Sequence, residues 1–541
     1  MRTCWYFSCV LAISVCVGCS LRQPTSFPVA PVSVEATTDG GTCTVYDTDG
    51  DAVGDYAEVA SRAGRVVELR FGLGDDDADA ETVSRESSSN RCRKVFIILD
   101  SIPFHLVKEA YDSGRFRNFY PPSRVVAPFP VMTDLCLNEL FGTSPATAVE
   151  TEYYDGTRLY DGWFGYADSD NSKWLSKVDV NVPFSDHGHV YMDAANWFDH
   201  ELALFEAALA KGDCGETICY SVSTSALGVS LGRDGHVAGL VTLDRFCQAL
   251  MHRFRGDIEI TLISDHGHNL RESRRLDLRR AATALGYRVS PTLRAVGDVV
   301  VPEFGLVSCA GVYTKSPERF ARDLAAVEGV ELVAFRRADG DVGVVDRDGE
   351  AVLSVRGTTV TNDLSVPHPS AMLDEEVLGL KGGAPNGPFA FRYKVLRGDP
   401  LRLVDSLNRL GNDCAIDADD FISDADLRDA LSNAYYPDAL YRLHRAFHGL
   451  VKYTPDVLVS LEDGWYTGSP FMAQFLSAKA IHGNLNENDS FAFVMSTAGP
   501  LPATMRMDEV LGQLHRIGIL QSEAVVDRDL TRGPGNGLPV K

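Results

Sequence analysis

The 541-residue sequence has no CxxC pair, no cysteine–histidine spacing of a zinc finger, no internal repeat, and no apolar run after residue 19 long enough to span a bilayer. These absences exclude a redox motif, a zinc-finger module, a solenoid and a multi-span membrane fold. Positive charge is scarce as well: 51 Lys and Arg face 75 Asp and Glu, a net charge of −24. Such a balance opposes any sequence-independent grip on nucleic acid, and none is expected as a partner. An anionic substrate would need local positive charge at its site, for which bound metal ions are the usual source. What is present is an ordinary globular composition, 45% hydrophobic and 23% charged, with 47 Gly and 25 Pro. The chain exceeds the size at which a single core stops growing, so a large fold with insertions or two domains is expected.

Residues 1–19 carry one early positive charge and then a short apolar run, the pattern of a secretory signal. The run closes on Val17-Gly18-Cys19, which resembles the lipobox of bacterial lipoproteins, although Cys16 stands where Leu is usual. The resemblance implies acylation at Cys19 and an exported, membrane-anchored protein of the bacterial cell envelope; an ordinary cleaved signal is the alternative. Of 12 cysteines, Cys43, Cys92, Cys136, Cys214, Cys219, Cys247, Cys309 and Cys414 lie beyond the signal. Export permits disulfides, and Cys43 with Cys92 and Cys214 with Cys219 are the expected pairs, with buried free thiols as the alternative.

Residues 20–90 read as an acidic, Ser/Pro-rich tether with at most a small folded piece near 43–73. Asp47, Asp49 and Asp51 alternate as in a calcium loop, but Ala52 replaces the required glycine and no closing Glu follows, so a solvated turn is expected. The fold begins at residue 91. Val95–Leu99 is a continuous apolar run ending in Asp100, and similar runs recur at 218–222, 258–263 and 457–461, separated by helical stretches such as 199–211 and 238–254. Strands buried on both faces and alternating with helices predict an α/β fold, a mostly parallel sheet sandwiched by helices, with ligands at the strands' carboxyl ends. Residues 91–311 and 456–520 are assigned to this core. Valine-rich runs punctuated by Asp339-Gly340-Asp341 and Asp346–Gly349 mark an inserted α+β subdomain over 312–455, and 521–541 reads as a flexible tail.

Four side chains stand where such a sheet would present them. Asp100 ends the first strand, Asp265 and His266 end another, and Thr133 precedes a helix-like stretch, Asp134–Phe141. Two carboxylates, an imidazole and a hydroxyl form a shell for a divalent cation such as zinc, which would make the hydroxyl a nucleophile toward phosphorus. Singly, each could be a cap or a hydrogen-bonded core residue; a buried carboxylate pair without a cation would repel.

The order of these pieces is specific. An apolar strand ending in Asp100, then Phe129-Pro130-Val131-Met132-Thr133, then Ser264-Asp265-His266-Gly267, and finally His482-Gly483 resembles the alkaline-phosphatase superfamily, nearest the type I phosphodiesterase/nucleotide pyrophosphatase group, over about residues 94–497. The resemblance implies a phosphoric-ester substrate, a small molecule or a phospho-headgroup, and two metals about 4 Å apart. One site maps onto Asp100, Thr133, Asp265 and His266. The other keeps His482, but Ser225 and Val229 stand where the family places its Asp and His, so one ion is expected rather than two. Asp234 with His236, and Asp186 with His187 and His189, could relocate that site; an exposed turn and a solvated loop are their plainer assignments. Alternatively, His482 with Lys479 could stand in for the ion, as protonated side chains do in single-metal branches of the superfamily. Two functions follow: a metal-dependent phosphodiester hydrolase or phospho-group transferase using Thr133, or an impaired pseudoenzyme lipoprotein that binds or scaffolds.

Overall fold

Side chains alternate between the two faces of a strand, yet Val95, Phe96, Ile97, Ile98 and Leu99 are all 2% exposed or less, so the Arg93–Leu99 strand is covered on both faces. It lies inside a six-stranded sheet ordered Gly215–Ser221, Arg93–Leu99, Ile258–Ser264, Phe491–Ser496, Ser123–Val126 and Thr504–Arg506. The first three strands are mutually parallel, and Phe491–Ser496 runs antiparallel to both neighbours. The computed structural model describes residues 21–28, 30–74, 81–85, 91–160, 171–212, 214–357, 389–412, 416–474 and 476–521. The signal with Cys19, Cys414, most of the acidic run at 75–81 and the tail after 521 lie outside the described residues.

Register explains where the chemistry sits. Leu99 is paired with Ser221 on one side and Ser264 on the other, so Asp100 and Asp265 leave the sheet at the same level. The helix Ser223–Leu231 starts at that level too. Glu201, from the helix Ala194–Lys211, buttresses the start: its buried carboxyl accepts from Ser221 Oγ, from Val222 N at 3.2 Å and from Ser223 N at 3.3 Å.

The fold is mixed α/β, but the sheets are divided differently from expectation. Val457–Leu461 belongs to a second, nine-stranded sheet, antiparallel to both Cys309–Thr314 and Val330–Arg336. An internal strand covered on both faces is continuously apolar whether its neighbours are parallel or not, so the run alone could not assign its sheet. The expected hairpin turns lie in this sheet, joining Val330–Arg336 to Val342–Val345 and then to Glu350–Arg356.

The stretch expected as a tether carries a five-stranded antiparallel sheet from Ser33 to Ser84. Phe27, Tyr56, Leu69 and Phe71 cluster with Ala249 of the helix Arg233–Arg253. In its Asp47–Asp51 turn the Asp47 carboxylate accepts from Gly50 N and Ala52 N, at 2.6 and 2.8 Å, a turn held by its own backbone.

Neither expected disulfide forms. Cys92 is bonded to Cys214, and Cys43 and Cys219 are free thiols. The register pairs Arg93 with Gly215, so the two residues just before these parallel strands are neighbours although 122 apart in sequence.

Burial pushes the Glu201 carboxyl up to about 8 from its ordinary 4.5. The folded state therefore keeps a proton that the unfolded chain has lost, and this group's contribution to stability falls as pH rises from about 5 through about 8. Urea unfolding of Glu201→Gln at pH 6 and pH 8.5 should show a shallower loss of stability than the parent protein. An identical slope would remove Glu201 as its source.

Candidate active site

Asp100 and Asp265 are 5% and 0% exposed, and with His266 they bring one ligand atom each within 4.8 Å of the others. Asp100 accepts from Tyr220 OH at 2.6 Å and from Ser101 Oγ at 2.5 Å. Asp265 Oδ1 accepts the backbone N–H groups of Ser101 and His266, both at 2.9 Å. To make its contact Ser101 adopts φ +66°, a left-handed conformation that costs a serine on the order of 1 kcal/mol. Asp265 Oδ2 is buried without a hydrogen-bond donor among the described residues, 3.2 Å from His266 Nε2. Burial, and then the like charge of Asp100, raise the Asp265 carboxyl.

Two imidazoles have their tautomers set by backbone carbonyls. His266 Nδ1 is 3.1 Å from Gly267 O and His482 Nδ1 is 2.8 Å from Val131 O. A carbonyl can only accept, so each Nδ1 carries the proton and each Nε2 keeps a lone pair. Burial lowers both rings, His482 to about 4, so they are neutral at physiological pH. Thr133 Oγ1, at the first position of the helix Thr133–Leu140, lies 3.2 Å from His266 Nε2. Carboxylate oxygens, an imidazole nitrogen and a hydroxyl are a donor set for a borderline divalent cation, and the orphaned Asp265 oxygen fits one. The structure thus brings Asp100, Thr133, Asp265 and His266 together, with the His482 ring stacked 4.1 Å from His266.

Beside this shell, Ser225 and Val229 lie one turn apart on Ser223–Leu231, 3% and 7% exposed. Ser225 Oγ is 3.4 Å from Ser101 Oγ and 3.3 Å from Tyr191 OH. Lys479 is exposed, and its backbone N–H bonds Val229 O. The plainer assignments of two other segments are corrected. Asp234 and His236 form the first turn of the helix Arg233–Arg253, with Asp234 exposed and His236 buried. Asp186 ends a short 3₁₀ turn that leads into the helix His187–Met192, where His189 lies 3.7 Å from its carboxylate; the same helix delivers Tyr191.

Sequence reasoning missed Ser101, Tyr191, Tyr220 and His268. Only His268 carried a signal, two positions after His266; the others reach the site through strand register and helix packing.

No protein-family model matches the chain, and no curated protein matches it. Among solved structures the chain is similar to human ectonucleotide pyrophosphatase/phosphodiesterase 5, at 11% identity over 82% of this chain and 96% of that one, with a TM-score of 0.40. The murine protein of the same name is 11% identical over 80% and 95%, with a TM-score of 0.37. An inactive form of it in complex with AMP is 12% identical over 82% and 97%, also with a TM-score of 0.37. Likeness at this level leaves the chemistry to the chain's own residues.

A cation entering the shell must displace the proton that the raised Asp265 carboxyl holds, so uptake should release a proton near neutral pH and weaken as pH falls. Calorimetry of Zn²⁺ binding in two buffers of different ionisation enthalpy measures that release. Asp265→Asn should abolish both the release and binding at this shell; unchanged binding would place the cation elsewhere.

Proposed function

We propose that this chain is an exported, metal-dependent phosphoric-ester hydrolase or phospho-group transferase acting on phosphodiesters, with Thr133 as nucleophile. The observation that carries the reading is the buried Asp100–Asp265 pair converging with His266 on the Thr133 hydroxyl. Asp100, Thr133, Asp265 and His266 would hold the cation, zinc by its donor set, and when bound it supplies Lewis acidity that lowers the hydroxyl's pKa. Thr133 Oγ1 then forms a bond to phosphorus while the ester bond to the leaving alcohol breaks, and that alcohol takes up a proton. Water cleaves the resulting threonyl phosphodiester, which still carries the substrate's other ester group, to release a phosphomonoester and restore the Thr133 hydroxyl; an acceptor alcohol in place of water gives transfer. Tyr220 and Ser101 hold the Asp100 carboxylate, and two backbone N–H groups hold Asp265, so the shell does not have to reorganise during the step. Lipid attachment at Cys19, from the lipobox-like ending of the signal, would keep the protein at the cell envelope.

A second reading, an impaired lipoprotein that binds or scaffolds, is favoured by Ser225 and Val229. Neither side chain stabilises leaving-group charge as a cation-ligating Asp and His would, which lowers the expected rate by orders of magnitude.

Hydrolysis of a chromogenic phosphodiester separates the two. Thr133→Ala should lower the rate by about a thousandfold or more, and Ser225→Asp with Val229→His should raise it by about a hundredfold. Hydrolysis that Thr133→Ala leaves intact removes the nucleophile; no metal-dependent hydrolysis by either the parent or the double variant favours the binding protein.

A further inference from the structure

The chain that follows Cys19 is pinned to the body almost at once. Arg22 N donates to His200 Nδ1 at 2.9 Å and Thr25 N to Glu206 Oε2 at 3.0 Å, both acceptors on the helix Ala194–Lys211. Phe27 is then buried against the rings of Tyr46 and Tyr56. From Arg22 to Thr25 the chain runs toward the carboxyl end of that helix, so traced backward from Arg22 it points to the amino end. Cys19 stands three residues before Arg22, a span of at most about 11 Å. From His200 back to Ala194 the helix is about 9 Å long. Cys19 is therefore within reach of the turn that joins this helix to the preceding one, His187–Met192.

The same turn is where apolar surface is left uncovered. Met192 ends the helix His187–Met192 and is 69% exposed, the highest value for a large hydrophobic side chain among the described residues. Phe184, 52% exposed, lies at the other end of that helix, its ring 5.2 Å from that of His187. Leu231, 48% exposed, is brought alongside because Ser230 Oγ donates to Tyr191 O at 3.2 Å. Single exposed hydrophobics are ordinary, whereas three gathered beside one short helix mark an interaction surface.

We propose that the surface formed by Phe184, Met192 and Leu231 lies on the lipid bilayer that holds the acyl chains of Cys19, with these side chains entering the boundary between headgroups and acyl chains. Of the reading above this needs only lipid attachment at Cys19, and none of the catalysis. An anchor that short cannot hold the protein clear of the membrane: His200 stays within about 11 Å of the headgroups, and the amino end of its helix is the part they meet. A short leash also raises the effective concentration of the patch at the surface, so that three side chains too few to bind a membrane alone are enough once the anchor is set. The lipid face is zwitterionic, because Asp186 and Asp193 flank the patch and the chain carries a net charge of −24, which an anionic surface repels. The contact is apolar and insensitive to salt. Docking also orients the candidate active site, since Tyr191, whose OH is 3.3 Å from Ser225 Oγ, directly precedes Met192.

The full chain, expressed in a bacterium, extracted from its envelope and reconstituted in phosphatidylcholine–phosphatidylethanolamine vesicles, should float with them, and the mass of its N-terminal peptide reports the acyl groups on Cys19. A nitroxide on Met192→Cys, in a chain carrying Cys43→Ser and Cys414→Ser to confine the label, should collide more often with dissolved oxygen than with an aqueous nickel chelate. The same label on Val296→Cys, 65% exposed beside the strand Asp298–Val300, should show the reverse. High salt should leave the ratio at position 192 unchanged. Phe184→Asp with Leu231→Asp should shift that ratio to the aqueous value while the protein still floats. A floating protein whose label at 192 is as aqueous as that at 296, or whose contact high salt removes, would overturn the docking and leave the anchor standing. A chain that carries no acyl mass and stays in the aqueous phase would overturn both, with the missing mass identifying the anchor as the cause. No hydrolysis is measured, so a failure of the phosphodiesterase reading leaves every one of these outcomes unchanged.

Discussion

Two carboxylates buried side by side are the constraint around which the rest is arranged. Asp100 and Asp265 leave adjacent parallel strands at one level because Leu99 pairs with both Ser221 and Ser264. In a low-dielectric interior such a pair repels, and the surroundings answer locally with donors: Tyr220 and Ser101 on one carboxylate, two backbone N–H groups on the other. One Asp265 oxygen is still left over. The strained Ser101 and the Glu201 brace belong to the same arrangement, since they fix the backbone from which the carboxylates and the neighbouring helix depart.

The imidazoles complement that negative charge without adding positive charge of their own. Burial keeps His266 and His482 neutral, and backbone carbonyls turn their lone pairs away from Nδ1. Asp100, Asp265 and His266 thus bring donor atoms together that could hold a cation. The neighbouring face, where Ser225 and Val229 stand, is poor in charge but rich in hydroxyl and imidazole groups. That contrast is why a phosphoryl-transfer reading and a binding reading diverge at this helix and nowhere else in the site.

Much of the first shell was legible in the chain. Asp100 and Asp265 end uninterrupted apolar runs, and strand ends are where an α/β sheet presents its ligands. Thr133 stood out ahead of a helix-like stretch, whereas His482 was legible only through the order of motifs. Tyr191 and Tyr220 were not legible, because their hydroxyls arrive by packing across more than 30 and 100 residues. His236 looked like part of a turn because Gly232 and Gly235 flank it, whereas Gly235 sits tightly against Leu227 O and Leu231. The sheet that Val457–Leu461 joins, the N-terminal sheet and the Cys92–Cys214 bond were likewise beyond reading, since each depends on which elements become neighbours.

The sequence by itself determined the local periodicities: which segments are strands or helices, where buried runs stop, and which polar residues stand at those ends. Hydrophobic pattern and backbone preference act over a few residues and are written in order along the chain. Tertiary structure alone decided sheet membership, disulfide pairing, imidazole tautomers and the meeting of His236 with His268. Those depend on register and on the carbonyl or side chain that packing brings within about 3 Å, a distance unrelated to separation along the chain.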